Sequence, residues 1–129
     1  MIVIDTNVIA YLLVPGDRTK AAEALRRRDA EWAAPLLWRS EFRNVLATLI
    51  RLGRIELPIA QAIQEQAERL LAPLEFAVDS ESVLALAASS GCSAYDCEFV
   101  ALADYLDVPL VSADRKLKAK FGKRVRLLS

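Results

Sequence analysis

The sequence predicts an α/β fold: a central, mostly parallel sheet with helices on both faces. Two observations carry this. Short branched-apolar runs such as "MIVI" and "PLVS" alternate with longer segments of helical periodicity. These runs are continuously apolar rather than alternating in and out, as expected of strands covered on both sides. No repeat, low-complexity stretch or linker interrupts the 129 residues, so one domain over 1–129 is expected.

Each element has a local reason. Residues 1–4 read as a buried strand, being short and branched. Residues 6–13 suit a short helix ended near Pro15-Gly16. Residues 18–29 suit a second helix with Asp17 as its N-cap. A short strand at 31–34 precedes Pro35. Trp38, Phe42, Val45, Leu46, Leu49 and Ile50 fall at helical spacing, predicting a helix over 37–52 ended by Gly53. Pro58 fits the first turn of a helix running to about residue 71. Residues 74–78 form a strand candidate, and Asp79 then caps a helix to 88. A helix from Ser93 or Ala94 runs to about 106. A strand follows over 109–112, then a short basic helix, then a last strand over 125–128.

Composition narrows the function. The chain is 54% hydrophobic and 26% charged, the balance of a soluble globular protein. No apolar stretch reaches the ~18 residues of a membrane span. The N-terminal run lacks the basic flank of a signal peptide, and cytoplasm is the expected location. Cys92 and Cys97 are expected to be reduced, small hydrophobes. There is no histidine. That excludes Ser-His-Asp hydrolysis, histidine-based ribonuclease chemistry and HExxH zinc sites. Hydrolytic chemistry here has to run on carboxylates, Ser/Thr, Lys/Arg, Tyr or Cys. Net charge is zero, yet seven of the 17 basic residues lie in the last fifteen positions, Arg115, Lys116, Lys118 and Lys120 among them. That end is a candidate polyanion surface, or else a solvated face.

The first strand ends abruptly at Asp5-Thr6-Asn7, and "PLVSAD" repeats the pattern, with Ser112 closing a strand and Asp114 two residues on. In parallel sheets, sites form beyond the carboxyl ends of strands. If the two strands are neighbours, Asp5 and Asp114 emerge together. Two helical acids can be placed by angle, at about 100° per residue. With Tyr95 at zero, the apolar arc of its helix runs from about −20° to about 140°, and Asp96 falls inside it at about 100°. Glu98 and Asp104 fall outside. Glu41 lies about 40° beyond Val45 and should be half-buried.

Gathered carboxylates repel one another and resent the loss of water. A hard divalent cation, Mg²⁺ or Mn²⁺, resolves both problems. Each acid also has a structural reading. Asp5 and Asp114 could simply cap helices, Asp96 could answer a helix dipole, and Glu41 could pair with Arg39 or Arg43. The rings of Trp32, Trp38 and Tyr95 read as core.

"IDTNVI", "WRSEFRNVLATL", "SAYDCEFVALAD" and "PLVSADRKL", in this order, resemble the successive signatures of PIN-domain proteins, and among them the VapC-type toxins of toxin–antitoxin modules. The resemblance runs from Met1 to about Leu117. It implies a PIN-like three-layer sandwich. It places the family's four acids on Asp5, Glu41, Asp96 and Asp114, with Asp5, Asp96 and Asp114 as metal ligands and Thr6, Asn7 and Ser112 in support. It implies a Mg²⁺- or Mn²⁺-dependent endoribonuclease leaving a 5′-phosphate and a 3′-hydroxyl. Its implied partners are an RNA substrate, a cognate antitoxin and a second copy of the chain. Many relatives carry a further acid after the fourth; here Arg115, Lys116 and Leu117 follow. Two rival readings are a non-catalytic binding protein on the same fold and aspartate phosphotransfer. The latter lacks its second Asp, since position 7 is Asn.

Overall fold

A computed structural model describes all residues, Met1 to Ser129. Five strands form one sheet: β1 (Ile2–Ile4), β2 (Trp32–Pro35), β3 (Glu75–Phe76), β4 (Leu110–Ser112) and β5 (Val125–Leu127). Their spatial order is β3-β2-β1-β4-β5, and every neighbouring pair is parallel. Val3 stands opposite Ala33 on one side and Leu110 on the other. β1, β2 and β4 are buried at every residue, which explains their unbroken apolar sequence.

Seven helices cover the sheet: α1 (Thr6–Leu13), α2 (Thr19–Arg28), α3 (Leu37–Arg51), α4 (Leu57–Leu71), α5 (Ser80–Ser90), α6 (Ala94–Leu106) and α7 (Arg115–Phe121). The chain winds from β1 to β2 to β3 in one direction, then back across to β4 and β5. Parallel crossovers are right-handed, so the two directions put α1–α4 on one face and α5–α7 on the other. The result is the three-layer sandwich expected. The reversal falls between β1 and β4, a switch point that opens a crevice beyond their carboxyl ends.

Most predicted elements appear within a residue or two. Asp79 caps α5 by accepting from the Ser82 N–H, and Ser93 caps α6 by accepting from Asp96 N–H. The Asp17 cap is a correction. Arg18 occupies the N-cap of α2 without a side-chain bond, while the Thr19 hydroxyl serves the preceding turn by accepting from Gly16 N–H. The angular reading of α6 was too narrow. This helix packs on the sheet and on α5, so Cys97 and Ala101 are buried as well as Phe99, Val100 and Leu102 inside the arc. Glu98, placed outside the apolar arc, is consequently half-buried. Cys92 and Cys97 are unpaired with each other. No helix is long and apolar enough to cross a membrane.

One polar network ties the sheet edge to α3. Glu75 of β3, its side chain only 8% exposed, accepts from Trp38 Nε1 at 2.7 Å and from Arg39 Nε at 2.7 Å. Arg39 also reaches Glu68 on α4 at 3.1 Å. Arg39 is therefore committed here and is not the partner of Glu41.

Candidate functional site

The crevice at the switch point is a cleft of about 580 Å³. All four sequence-predicted acids line it: Asp5 from the end of β1, Glu41 from α3, Asp96 from the first turn of α6 and Asp114 from just past β4. Thr6 and Asn7 line it too. Glu41 is there because α3 turns one side toward the cleft, presenting Leu37, Ser40, Glu41, Asn44 and Val45 together.

The local chemistry explains each position. Asp5 does cap α1, accepting from Val8 N–H at 3.1 Å. Its other oxygen accepts from the hydroxyl of Ser112, which is wholly buried. The same Ser112 oxygen accepts from Asp114 N–H at 3.0 Å. One hydroxyl thus couples the two strand-end acids. Asp114 in turn caps α7, accepting from Lys116 N–H at 2.8 Å. Capping and cleft lining are compatible, because a carboxylate has two oxygens. Thr6, buried, donates its hydroxyl to Glu41 Oε1 at 2.7 Å. Asn7 is exposed.

The electrostatics are those of a crowded acidic site. Burial is the main cause raising the Asp5 carboxyl above its ordinary range; the Ser112 and Val8 bonds oppose it, and the charges of Asp114 and Asp96 add to it. Glu41 is raised first by burial and then by Asp96 and Asp5, against the Thr6 bond. Asp96 is raised by burial and by the Asp114 charge. These folded carboxyls hold protons more tightly than the unfolded chain does. Their contribution to stability is therefore complete below the unfolded values, 3.8 for Asp5 and 4.5 for Glu41, and is lost as pH rises through the raised ones. Other carboxyls titrate in the same range, so the difference between wild type and Asp5→Asn isolates Asp5. In chelated buffer, the wild-type melting temperature should fall relative to the variant as pH climbs above 4. A constant difference from pH 4 to pH 8 would contradict the burial argument.

No three acidic or cysteine side chains close into a ready-made metal cage. The donor set nonetheless suits a hard divalent ion. It is all oxygen, partly buried and mutually repulsive, and Mg²⁺ is commonly held by one or two carboxylates with waters completing its shell.

Three lining residues were missed from sequence. Ser40 and Asn44 sit one residue before and three after Glu41, a helical spacing that could have flagged them. Tyr95, read as core, is 63% exposed and lines the cleft. It belongs to the first turn of α6. Trp32 and Trp38 are core as expected. In the basic segment, Arg115, Lys116 and Lys120 are exposed. Lys118 differs: its Nζ donates to the carbonyls of Gly122 and Val125, at 3.1 and 2.8 Å, so it closes the turn into β5.

Comparison with known proteins adds a second line of evidence. The sequence model of the PIN domain matches residues 2–121. Ribonuclease VapC3 of Pyrobaculum aerophilum is 30% identical over 123 residues, which cover 93% of this chain and 94% of that protein. PAE2754 from Pyrobaculum aerophilum has a similar crystal structure, with TM-score 0.76 and 22% identity, covering 98% of this chain and 89% of its own. A toxin–antitoxin complex from Klebsiella pneumoniae contains a chain with TM-score 0.72 and 15% identity, covering 98% and 96%. At those identities the two structures speak to the fold.

Proposed function

The chain belongs to the PIN-domain family, and from that premise we propose that it is a metal-dependent endoribonuclease, the toxin of a toxin–antitoxin pair. The observation that carries this reading is the meeting of four carboxylates, from four separate elements, in one cleft. The similarity to a ribonuclease over nearly its whole length supports it. The protein acts as one cytoplasmic domain, as a homodimer, held in check by a cognate antitoxin.

Asp5, Asp96 and Asp114 are the residues that would hold Mg²⁺ or Mn²⁺. When bound, the ion supplies Lewis-acid stabilisation of the phosphate and makes a water easier to deprotonate. Ser112 ties the Asp5 carboxylate to the backbone that carries Asp114, donating to the one and accepting from the Asp114 N–H. Glu41 takes the proton of the attacking water. Thr6 holds Glu41 Oε1, leaving Oε2 directed by the same bond, and the raised proton affinity of Glu41 suits a general base. Water adds to phosphorus in line and the P–O3′ bond breaks, giving a 5′-phosphate and a 3′-hydroxyl. Thr6 and Asn7 line the approach. Arg115, Lys116 and Lys120 draw in the RNA backbone, with Lys118 holding the turn beneath them.

The test is to incubate the purified protein with total cellular RNA, with Mg²⁺ or Mn²⁺ and with chelator, and to map new ends. Discrete 5′-phosphate ends are expected only with metal. Saturating ion, at 100 times its dissociation constant, should also stabilise the fold by about 2.7 kcal/mol. Neither cuts nor a melting shift would favour a non-catalytic binding protein.

A further inference from the structure

Beside the acidic cleft lies a second hollow, of about 440 Å³, that the chemistry above does not use. That volume falls within the ~300–1,000 Å³ typical of small-ligand pockets. Its lining is apolar, including Leu36, Phe76, Val83 and Leu84, with one carboxylate, Glu98. Leu36 is 51% exposed and Leu84 is 65% exposed, a poor arrangement for surfaces meant only to face water.

The hollow and the cleft adjoin. Leu36 and Ala94 line the hollow, while their chain neighbours Leu37 and Tyr95 line the cleft. Tyr95 is largely exposed and lines the cleft, one residue along the chain from the hollow's Ala94. Glu98 follows Tyr95 by three residues on α6, on the same side of the helix. Its half-buried carboxylate meets no hydrogen-bond donor or cation of the protein. The site thus offers an exposed ring, apolar walls and a charged acceptor with nothing to accept from.

A phosphate would not enter here, because Glu98 repels it. An unpaired nucleobase would. Sequence-specific RNA recognition splays bases out, stacks them on aromatic rings and reads their edges by hydrogen bonds. A carboxylate only accepts, so it selects bases with amino donors, such as N4 of cytosine or N6 of adenine. Uracil has no exocyclic amino group and offers only its ring N3–H. We propose that this hollow is a base-recognition subsite, in which a nucleotide flanking the scissile phosphate stacks on Tyr95 and donates an exocyclic amino group to Glu98.

This rests on the nuclease reading, and the test separates the two. Cleavage rates are compared for synthetic single-stranded RNAs that share one cut site and differ in a single flanking base. Wild type should cut substrates with an amino-bearing base at one flanking position about tenfold faster than those with uracil there, a fold-change in keeping with ~1–3 kcal/mol per good base contact. Glu98→Gln, whose amide both donates and accepts, should bring that ratio close to one. Losing a negative charge changes all substrates alike, so the ratio between bases is the diagnostic. Tyr95→Ala should raise KM about tenfold or more, and Tyr95→Phe, which keeps the ring, should restore it. If wild type cuts RNA but its base ratio is unchanged in folded Glu98→Gln, the subsite is overturned and the nuclease stands. If wild type neither cuts nor binds these RNAs, both fall. An effect of these variants on binding of a protein partner alone also overturns the subsite.

Discussion

Asp5→Asn should lower RNA cleavage on the order of 10³-fold while leaving the protein folded and no less stable. The activity loss follows from charge. A ligand carboxylate that stabilises the reaction by several kcal/mol changes the rate tenfold for each 1.36 kcal/mol. The stability expectation follows from the local bonds. Asn keeps an oxygen for the Val8 N–H, and the Ser112 hydroxyl, which also faces Asp114 N–H, can turn to suit an amide. What disappears is a buried charge set against Asp96 and Asp114. The melting temperature in chelator should therefore hold or rise, while any ion-induced shift shrinks. Rates on a defined RNA, with melts alongside, check both halves. A folded variant cutting at the wild-type rate would remove Asp5 from the site.

Glu75→Ala, away from the cleft, should cost about 2–4 kcal/mol of stability. The carboxylate is buried and serves three donors, Trp38 Nε1 and two nitrogens of Arg39. Its loss strands the indole N–H of a fully buried ring and leaves a guanidinium with only Glu68. The figure is kept below that of a fully buried pair because the Arg39 side chain is 35% exposed. The Arg39 bond holds the Glu75 carboxyl below its ordinary 4.5, so this stabilisation is present above that pH and fades as pH falls through the lowered value. Urea unfolding at pH 7 measures the loss, and a change under 0.5 kcal/mol would show the network to be incidental. Trp38 and Arg39 share a helical turn with Glu41, so a loosened α3 should reduce kcat as well.

How far the site was legible depended on the kind of signal. Asp5 and Asp114 were readable because a strand that leaves the core into a polar residue marks the sheet edge by itself. Asp96 and Glu41 were readable from helical angle, since an acid beside an apolar stripe must sit at the boundary of the core. The same angle misjudged Glu98 and Tyr95. It assumes a helix with one buried face, whereas α6 is packed by the sheet and by α5, while Tyr95 in its first turn faces solvent. The basic segment showed a similar limit: composition grouped Lys118 with its neighbours, but only coordinates reveal that its charge closes a turn.

Sequence alone determined the class of fold, the order of its elements and the absence of histidine chemistry, because periodicity and composition are properties of the chain itself. Tertiary structure alone decided that Ser112 bridges two acids, that Thr6 grips Glu41, and that a second hollow adjoins the cleft. These depend on contacts between residues 35 and 107 positions apart. Such contacts are made by the winding of strands and helices around the switch point, and no local pattern encodes their distance.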